Sequence, residues 1–493
     1  MRINTYNLLS DIQIEEIHQG TMLVLSETGI LFEDERVHKL LHGVGCRVDK
    51  ANNRIRFPKQ VIDCFLPQVP SQVILRSTTR DRDIILGKPG NICFFNSSGK
   101  SSLDLDTGIP RDATLKEFHD FITILHNLPN VHALVPPWGD IKGVPPILTG
   151  LESAAAMFLC SDKVKALGTM AEDSAWNLAM AKVMDQDIAL FIGTQAPLYY
   201  PRETTDLILF CCENKVPFEL EAGSIAGASS PVTVAGTVIA SNAQLIAGLV
   251  LSQVLCSGLS VWPGNMIFTM NMHNGQPNFG SIGNSLIDMV FCQMWRHYKI
   301  PVASSTAGMS ASKILDFQAG MEVSQAVLAT VLSGAHCIFF QGGISQQLTA
   351  HPVKAILDDE IVGRVSTFLR GVDTSPEALS VDVIDKVGPS PGQFLTSPHT
   401  LTHWRTEQYL SQVTDQTNYD RWEKANRRQA VDYAREHMKE ILSTEKNEFV
   451  SVSQKQDIQD ILVEARRSFR KRGLISDSQW RTYQKIFAEV YAN

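Results

Sequence analysis

The sequence lacks several features that would place it in other classes of protein. Its nine cysteines include no Cys-x-x-Cys pair, so neither a disulfide framework nor a zinc ribbon is indicated, and we expect a reducing compartment. The N-terminus has no basic segment followed by a continuous apolar one, and apolar stretches such as LIAGLVLSQVLC are too short to span a bilayer. The net charge of -8 over 493 residues does not favour nucleic acid or membrane binding. These absences indicate a cytoplasmic protein.

Charged residues are also scarce, at 19%, whereas hydrophobic residues make up 44%. This balance excludes a disordered or fibrous protein and suits a compact enzyme with a large core. The Gly-x-Gly-x-x-Gly fingerprint of dinucleotide-binding sheets follows none of the predicted strands, which disfavours an open doubly wound sheet.

Eight short β-rich runs alternate with segments of helical periodicity between Asn91 and Gly371. The runs are NICFFN, VHALVPP, VKALGTM, DIALFIGTQ, VPFELEAG, LSVWPGN, IPVASST and HCIFFQGG. Eight β/α units over about 280 residues match the size of a closed parallel barrel. The predicted fold is therefore an α/β protein, a (β/α)8 TIM barrel at 91–371. A helical N-terminal extension with short strands, 1–90, packs on it, and a connection with helices follows at 372–493.

Function in such a barrel lies at the C-terminal ends of the strands. The residues expected there are Phe94 to Asn96, Trp138, Thr169, Met170, Thr194, Gln195, Glu219, Glu221, Trp262, Ser304 to Thr306 and Phe339 to Gln341. Aromatic residues stand at four of the eight ends, and either rim packing or a ligand explains them equally well. Aromatic faces favour a quaternary ammonium, a cation that cannot donate a hydrogen bond.

Glu219 and Glu221 are two residues apart, so they share one side of the fifth predicted strand. They have three interpretations: a negative charge beside a cation, an acid/base pair for glycoside hydrolysis, or hydrogen-bond partners in the core. No lysine stands at the end of a predicted strand, which disfavours a Schiff-base aldolase. His399 and His403 have helical spacing but no acidic partner, so we predict no metal.

Four segments occur in this order: GASSPVTVAGTVIASNAQLIAGLVLSQV, SKILDFQAGMEVSQAVL, SGAHCIFFQGG and LDDEIVGRVSTFLRG. Together they resemble the trimethylamine methyltransferase family, and more specifically its branch that lacks pyrrolysine. The resemblance continues into SPHTLTHWRTEQY, although Gln244 replaces a commonly acidic residue and CSGLSVW replaces a Pro-Gly-rich link. It implies a barrel enzyme, similar to glycine betaine:corrinoid methyltransferases, that moves a methyl group from a quaternary amine to the Co(I) of a separate corrinoid protein.

Glycine betaine is the substrate that this resemblance favours, with another betaine such as proline betaine or carnitine as the alternative. A barrel hydrolase or lyase that uses Glu219 and Glu221, and a non-catalytic betaine-binding protein, also remain open. The resemblance implies no tightly bound cofactor, because the corrinoid (cobalamin) is carried by the partner protein. Barrel enzymes of this size often associate, so a homo-oligomer is possible.

Positioning of the cation would be the enzyme's main task, since no nucleophile and base pair is found. We expect Trp138, Trp262 and Phe339 to present ring faces and Glu221 to complement the positive charge, with Tyr199 and Tyr200 as further candidates. A betaine carboxylate needs a charge-assisted donor. The candidates are His351, ranked first, then His273, Arg202 and Lys313.

The eighth predicted strand, in GAHCIFFQGG, contains two adjacent phenylalanines. Because side chains alternate along a strand, Cys337, Phe339 and Gln341 share one side and Phe340 faces the other. We predict that Phe339 and Gln341 face the barrel mouth and that Phe340 packs against the outer helices.

Overall fold

The computed structural model describes residues 5–88, 90–105, 107–168, 171–346, 348–444 and 449–491. Eight parallel strands form a closed ring, in which the last strand pairs with the first through Phe339 and Phe95. They are β1 (Cys93–Asn96), β2 (Ala133–Leu134), β3 (Val164–Gly168), β4 (Ile188–Gln195), β5 (Phe218–Ala226), β6 (Val261–Asn271), β7 (Ala303–Ser304) and β8 (Cys337–Gln341). Each begins within one of the eight predicted runs, and β5 and β6 continue past theirs to Ala226 and Asn271. The predicted TIM barrel is confirmed.

A helix follows each barrel strand and covers the outside of the ring. These helices are α1 (Leu115–Asn127), α2 (Pro146–Cys160), α3 (Ala171–Val183), α4 (Arg202–Asn214), α5 (Val234–Leu255), α6 (Ile282–His297), α7 (Phe317–Ser333) and α8 (Pro352–Leu369). Local signals fix several of their starts, because Thr114 with Glu117 forms a capping box and the Asp316 side chain accepts the backbone N–H of Ala319.

The inner and outer faces of the strands belong to two separate apolar clusters. The inner cluster joins barrel residues such as Phe95, Ala166 and Phe339 to a hairpin of two strands, Val73–Leu75 and Ile84–Leu86. This hairpin closes the N-terminal end of the barrel. The short strands predicted in the N-terminal extension therefore include this hairpin, which lies against the barrel interior. Among the described residues, no such hairpin covers the C-terminal ends of the strands.

Helix α5 is long and apolar enough, by length and composition, to cross a membrane, with a mean hydropathy of 1.7. Its apolarity has another cause, because 72% of its most apolar window is buried in the protein core. It packs against β5 and the N-terminal helix Asp11–Leu23. Helix α5 is longer than the apolar stretch LIAGLVLSQVLC. The Ala, Ser, Asn and Gln residues that precede this stretch belong to the same buried helix.

The N-terminal segment wraps around the barrel near α5. It contains the helices Asp11–Leu23, Glu35–Gly43 and Lys59–Phe65, a π-helical turn Val24–Thr28, a 3-10 turn Leu66–Gln68, and the strands Ile30–Phe32, Arg47–Asp49 and Arg54–Arg56. Strand Ile30–Phe32 pairs with the short strand Tyr199–Tyr200, which itself pairs with the end of β4. The extension thus continues the barrel sheet outward.

The C-terminal segment contains the helices Pro376–Leu379, Val381–Val387, Pro398–Glu407, Tyr419–Lys424, Ala430–Ser443, Val452–Lys471 and Asp477–Tyr491. A buried ion pair attaches the helix Val452–Lys471 to the barrel: Arg466 donates two 2.8 Å hydrogen bonds to Glu152 on α2. Tyr483 donates a third bond to the same carboxylate at 2.7 Å. The loops at the open end contain five short strands: Ser102–Leu103, Pro110–Arg111, Gln276–Pro277, Gly343–Ile344 and Thr349–Ala350.

Candidate active site

Strand glycines leave open space at the C-terminal end of the barrel, and we call this space the cavity. Gly168, Gly193 and Gly223 stand near the ends of β3, β4 and β5 and are exposed, although they lie within barrel strands. A Cβ atom at Gly168 or Gly193 would meet no atom within 4 Å. The absent side chains create space directly above the inward-facing residues of these strands. Thr169 and Met170, also expected at this rim, lie outside the described residues.

Two carboxyl groups lie at the floor of this cavity. Glu219 is fully buried and accepts a 2.7 Å hydrogen bond from the indole N–H of Trp262, its register neighbour on β6. Glu221, one layer higher and only partly buried, accepts a 2.6 Å bond from the hydroxyl of Ser305. The same hydroxyl lies 3.5 Å from Glu219. The expected shared orientation of the two glutamates is thus confirmed, and Trp262 supports the pair from below.

Gly264 on β6 allows the two carboxyl groups to come this close. A Cβ atom there would lie 2.9 Å from Glu219 Cδ and 3.0 Å from Glu221 Cγ, and it would overlap a Glu219 oxygen. Any larger residue would displace one of the two side chains. The carboxyl groups therefore occupy the volume that a side chain at 264 would otherwise fill.

The two carboxyl groups are close enough to share a proton. Burial raises the pKa of Glu219 well above its usual range, and the charge of Glu221 raises it further. Burial also raises the pKa of Glu221, while hydrogen bonds from Ser305 and Glu219 oppose that rise. Two close carboxyls in a low dielectric do not both ionise. At neutral pH we therefore assign Glu219 as the neutral acid and Glu221 as the carboxylate, so the cavity floor has one negative charge.

Aromatic rings line the cavity beside this charge. Phe339, 8% exposed, stands edge-to-face with Phe95 at 5.2 Å and with Phe191 at 4.9 Å between ring centroids. The three rings come from β8, β1 and β4, so they enclose one side of the interior. Phe339 therefore lies in the interior as predicted, and Phe340 packs outward against Phe94 in the helix-facing core.

Gln341 does not follow Phe339 into the cavity. The pairing of β8 with β1 shifts between Phe339 and Gln341, which is the mark of a β-bulge. The Gln341 amide then donates to the backbone carbonyl of Asn130 at 3.1 Å, and the side chain is fully buried. The expectation that Gln341 faces the mouth is wrong, because the bulge interrupts the two-residue alternation.

Trp138 lies away from the cavity. Its ring packs against Phe118 and Phe121 of α1, and its indole N–H donates to the carbonyl of Ala350 at 3.0 Å. Strand β2 ends at Leu134, so the alternation assumed for the whole second run does not reach Trp138. The prediction that it presents a ring to the ligand is corrected: it anchors a loop on α1.

Tyr199 and Tyr200 join the N-terminal extension to the barrel. Tyr200 is buried, stacks on Phe32 at 4.5 Å, and donates its hydroxyl to the Gln244 carbonyl at 2.7 Å. The Tyr199 hydroxyl hydrogen-bonds Glu33. Both side chains are committed to these contacts, so their expected place in the ligand site is also corrected.

The two histidines proposed to bind a carboxylate lie elsewhere. The Nδ1 atom of His351 accepts the backbone N–H of Val353 at 3.1 Å and so caps α8, while burial lowers its pKa to about 3. A neutral, hydrogen-bond-accepting imidazole cannot supply a positive charge. His273 is exposed in the turn after β6. On β6 the register partner of Glu221 is Gly264, and the strand ends seven residues later at Asn271, a rise of about 23 Å. His273 lies beyond that end and is therefore far from the glutamates.

Sequence reasoning missed Phe191 and Gly264 and did not separate Ser305 from its neighbours. Ser304 and Thr306 donate to the buried carboxylate of Asp288 on α6, at 2.9 and 2.7 Å, whereas Ser305 turns inward to the glutamates. The sequence did contain a signal for Phe191. It is two residues from Gly193 and four from Gln195, so all three side chains lie on the same side of β4, and Gln195 was expected at the open end of the barrel.

Comparison with known proteins identifies the family. A sequence profile of trimethylamine methyltransferase (MTTB) matches residues 1–469. The chain belongs to the trimethylamine methyltransferase family. A glycine betaine methyltransferase from Desulfitobacterium hafniense strain Y51 is 27% identical, over 85% of this chain and 89% of the relative. Trimethylamine methyltransferase MttB from D. hafniense DCB-2 is 25% identical, over 89% of each chain.

Among solved structures, the monomethylamine methyltransferase MtmB of Methanosarcina barkeri aligns with a TM-score of 0.47 at 12% identity, covering 87% of this chain and 92% of that one. Membership of the MTTB family makes this protein a methyltransferase of the methylamine type. Its sequence consists of standard residues throughout, including β8, which places it with the branch that lacks pyrrolysine.

Proposed function

We propose that this protein transfers a methyl group from a quaternary amine to the Co(I) of a corrinoid carried by a separate protein. The observation that supports this most directly is the close pair of Glu219 and Glu221, to which we assign one negative charge, beside three aromatic rings at the floor of the cavity. A carboxylate and aromatic rings together favour a cation that donates no hydrogen bond.

The chemistry requires little from the protein beyond positioning. In the transfer, Co(I) supplies the electron pair of the new cobalt–carbon bond, and the C–N bonding pair stays on nitrogen, which leaves as a neutral tertiary amine. No proton has to be added to the leaving group. Glu221, Phe339 and Phe191 therefore act by holding the cation so that one N-methyl points out of the open end, which is catalysis by orientation.

The open end also has the surface that a protein partner requires. Large apolar side chains, each at least 55% exposed, occur in or beside the loops that follow β1, β5, β6, β7 and β8: Ile109, Val232, Met272, Ile282, Ile314, Phe317 and Leu348. Exposed apolar patches of this kind mark interaction surfaces. A corrinoid protein docked on them would face the cavity. The nine free cysteines support a reducing, cytoplasmic location for the pair.

The glycosidase alternative is disfavoured by the geometry. A hydrolase needs its two carboxyls on either side of the bond to be cleaved, at least about 5 Å apart. Here both carboxyls contact one Ser305 hydroxyl and hydrogen-bond each other. No sugar ring fits between them.

The test is an anaerobic assay with purified protein, free Co(I) cobalamin and a panel of methylated amines. We expect formation of methyl-cobalamin with one or more of the quaternary amines. Methyl transfer from trimethylamine but from no quaternary amine would contradict the proposal. Turnover without any corrinoid would indicate a hydrolase or lyase, and tight binding without transfer would indicate a binding protein.

A further inference from the structure

We propose that the preferred substrate is a quaternary ammonium compound without an anionic group, such as tetramethylammonium or choline, rather than a betaine. This inference rests on the proposed function and specifies the substrate class of the same cavity. It depends on where the structure places its negative and positive side chains around the open end of the barrel.

The inward side of the strands has only negative charge among the described residues. Inward positions on β3 to β6 hold small, apolar, aromatic, glutamine or glutamate side chains: Val164, Ala166, Gly168, Ala189, Phe191, Gly193, Gln195, Glu219, Glu221, Gly223, Trp262, Gly264 and Met266. The lysines of β3 and its approach point outward. Lys163 donates to the carbonyls of Leu125 and Leu128, both at 2.8 Å, and Lys165 donates to Ser161 and Gln186.

The basic side chains in the described loops after the strands are paired with acids or exposed to solvent. Arg111 is paired with Glu117 on α1, and Lys100 lies 3.8 Å from Asp140 on the exposed loop after β2. Lys313 is exposed and donates to the carbonyl of Ala311 at 2.7 Å.

The remaining candidates are equally committed or remote. His351 is neutral and caps α8, and His273 is exposed at the far end of β6. Lys142 is exposed, and Arg202 is 68% exposed on α4 beside Asp206. The undescribed residues within the barrel region, 106, 169, 170 and 347, are Asp, Thr, Met and Gln. Among the described residues, a carboxylate within the cavity would therefore meet Glu221 and find no cationic partner.

The charge balance separates two compounds of nearly equal shape. Choline and glycine betaine share the trimethylammonium group and differ in a terminal hydroxymethyl or carboxylate. In glycine betaine one carbon joins nitrogen to carboxylate, so the cation cannot occupy the floor without bringing the anion close to Glu221. The carboxylates of Glu221 and glycine betaine would repel each other, and both would lose contact with water. Both effects weaken the binding of glycine betaine. A hydroxyl in the same place brings no such repulsion.

The experiment compares tetramethylammonium, choline, glycine betaine and carnitine by calorimetry and by methyl transfer to Co(I) cobalamin. We expect kcat/KM and affinity for choline and tetramethylammonium to exceed those for glycine betaine by at least 10-fold. Equal or better use of glycine betaine would overturn the inference. If no quaternary amine gives methyl transfer, the proposed function fails, while the order of calorimetric affinities still supports or overturns the charge argument.

Two variants separate charge from shape. Glu221→Gln is expected to reduce the preference for choline over glycine betaine by at least 5-fold. The substitution weakens the attraction of the cavity for the choline cation, and it also weakens the repulsion between residue 221 and the carboxylate of glycine betaine. Lys313→Ala is the matched control and should leave the affinity for glycine betaine unchanged. A 10-fold loss of glycine betaine affinity in Lys313→Ala would show that a loop cation closes on the carboxylate, and it would overturn the inference.

Discussion

If Glu219 and Glu221 share one proton, the same substitution at the two positions should change cation affinity by different amounts. Glu219→Gln replaces the neutral acid by a neutral amide of the same shape. Its carbonyl can accept from the Trp262 indole and its amide can donate to Glu221, which are the contacts that the protonated acid makes. We therefore expect the affinity of Glu219→Gln for tetramethylammonium to stay within about 3-fold of wild type, a change of less than about 0.7 kcal/mol.

Glu221→Gln removes the ionised member and moves the negative charge to Glu219, one layer deeper and farther from the cation. The double variant removes the charge altogether. Methyl groups keep the quaternary nitrogen about 5 Å from a carboxylate oxygen, and at an effective dielectric of about 20 this attraction is about 3 kcal/mol. The double variant should therefore bind on the order of 100-fold more weakly, with Glu221→Gln between it and wild type.

Isothermal calorimetry with tetramethylammonium at pH 7 measures the four proteins, and circular dichroism establishes that each is folded. Asp140→Asn removes an acid from the exposed loop after β2 and is the control for general electrostatics. The reasoning fails if Glu219→Gln binds as weakly as Glu221→Gln. It also fails if the folded double variant retains wild-type affinity.

Three further predictions concern the same cavity. Because burial raises the pKa of Glu221, cation affinity should fall as the pH drops through that raised value, by at most tenfold per pH unit, and calorimetry on the double variant should show a flat profile. Gly264→Ala should abolish methyl transfer and cost about 1–3 kcal/mol of stability by overpacking, whereas Gly320→Ala on α7, with nothing within 4 Å of its new Cβ, should melt within a few degrees of wild type. Phe340→Ala should lower stability by about 3–5 kcal/mol with unchanged ligand affinity, whereas Phe339→Ala should weaken binding; equal effects of the two in calorimetry and thermal melts would contradict the assigned orientations.

The barrel could be predicted from the sequence because each of its parts has a local signal. Buried parallel strands are short apolar runs, and the helices between them have apolar positions at helical spacing. The orientation of Glu219, Glu221 and Phe339 followed from the same two-residue alternation, applied inside strands that run regularly.

The alternation failed where strands bend or end. Gln341 follows a bulge, and Trp138 lies beyond the end of β2, so parity counted from the apolar run gave the wrong side for both. The position of Tyr200 depends on a distant segment of the chain. Its ring stacks on Phe32 of the N-terminal extension, and no local sequence pattern indicates that contact. His351 had a readable signal, since a residue followed by proline at a helix start is a typical N-cap position.

The most direct measurement of the central claim is the stoichiometry of one reaction. Purified protein is incubated anaerobically with tetramethylammonium and Co(I) cobalamin, and methyl-cobalamin is followed by its absorbance while the released amine is quantified by chromatography. The account predicts one trimethylamine for each methyl-cobalamin formed, with formation lost in the Glu219→Gln, Glu221→Gln double variant. Amine release without methyl-cobalamin, or equal methyl transfer by the double variant, would contradict it.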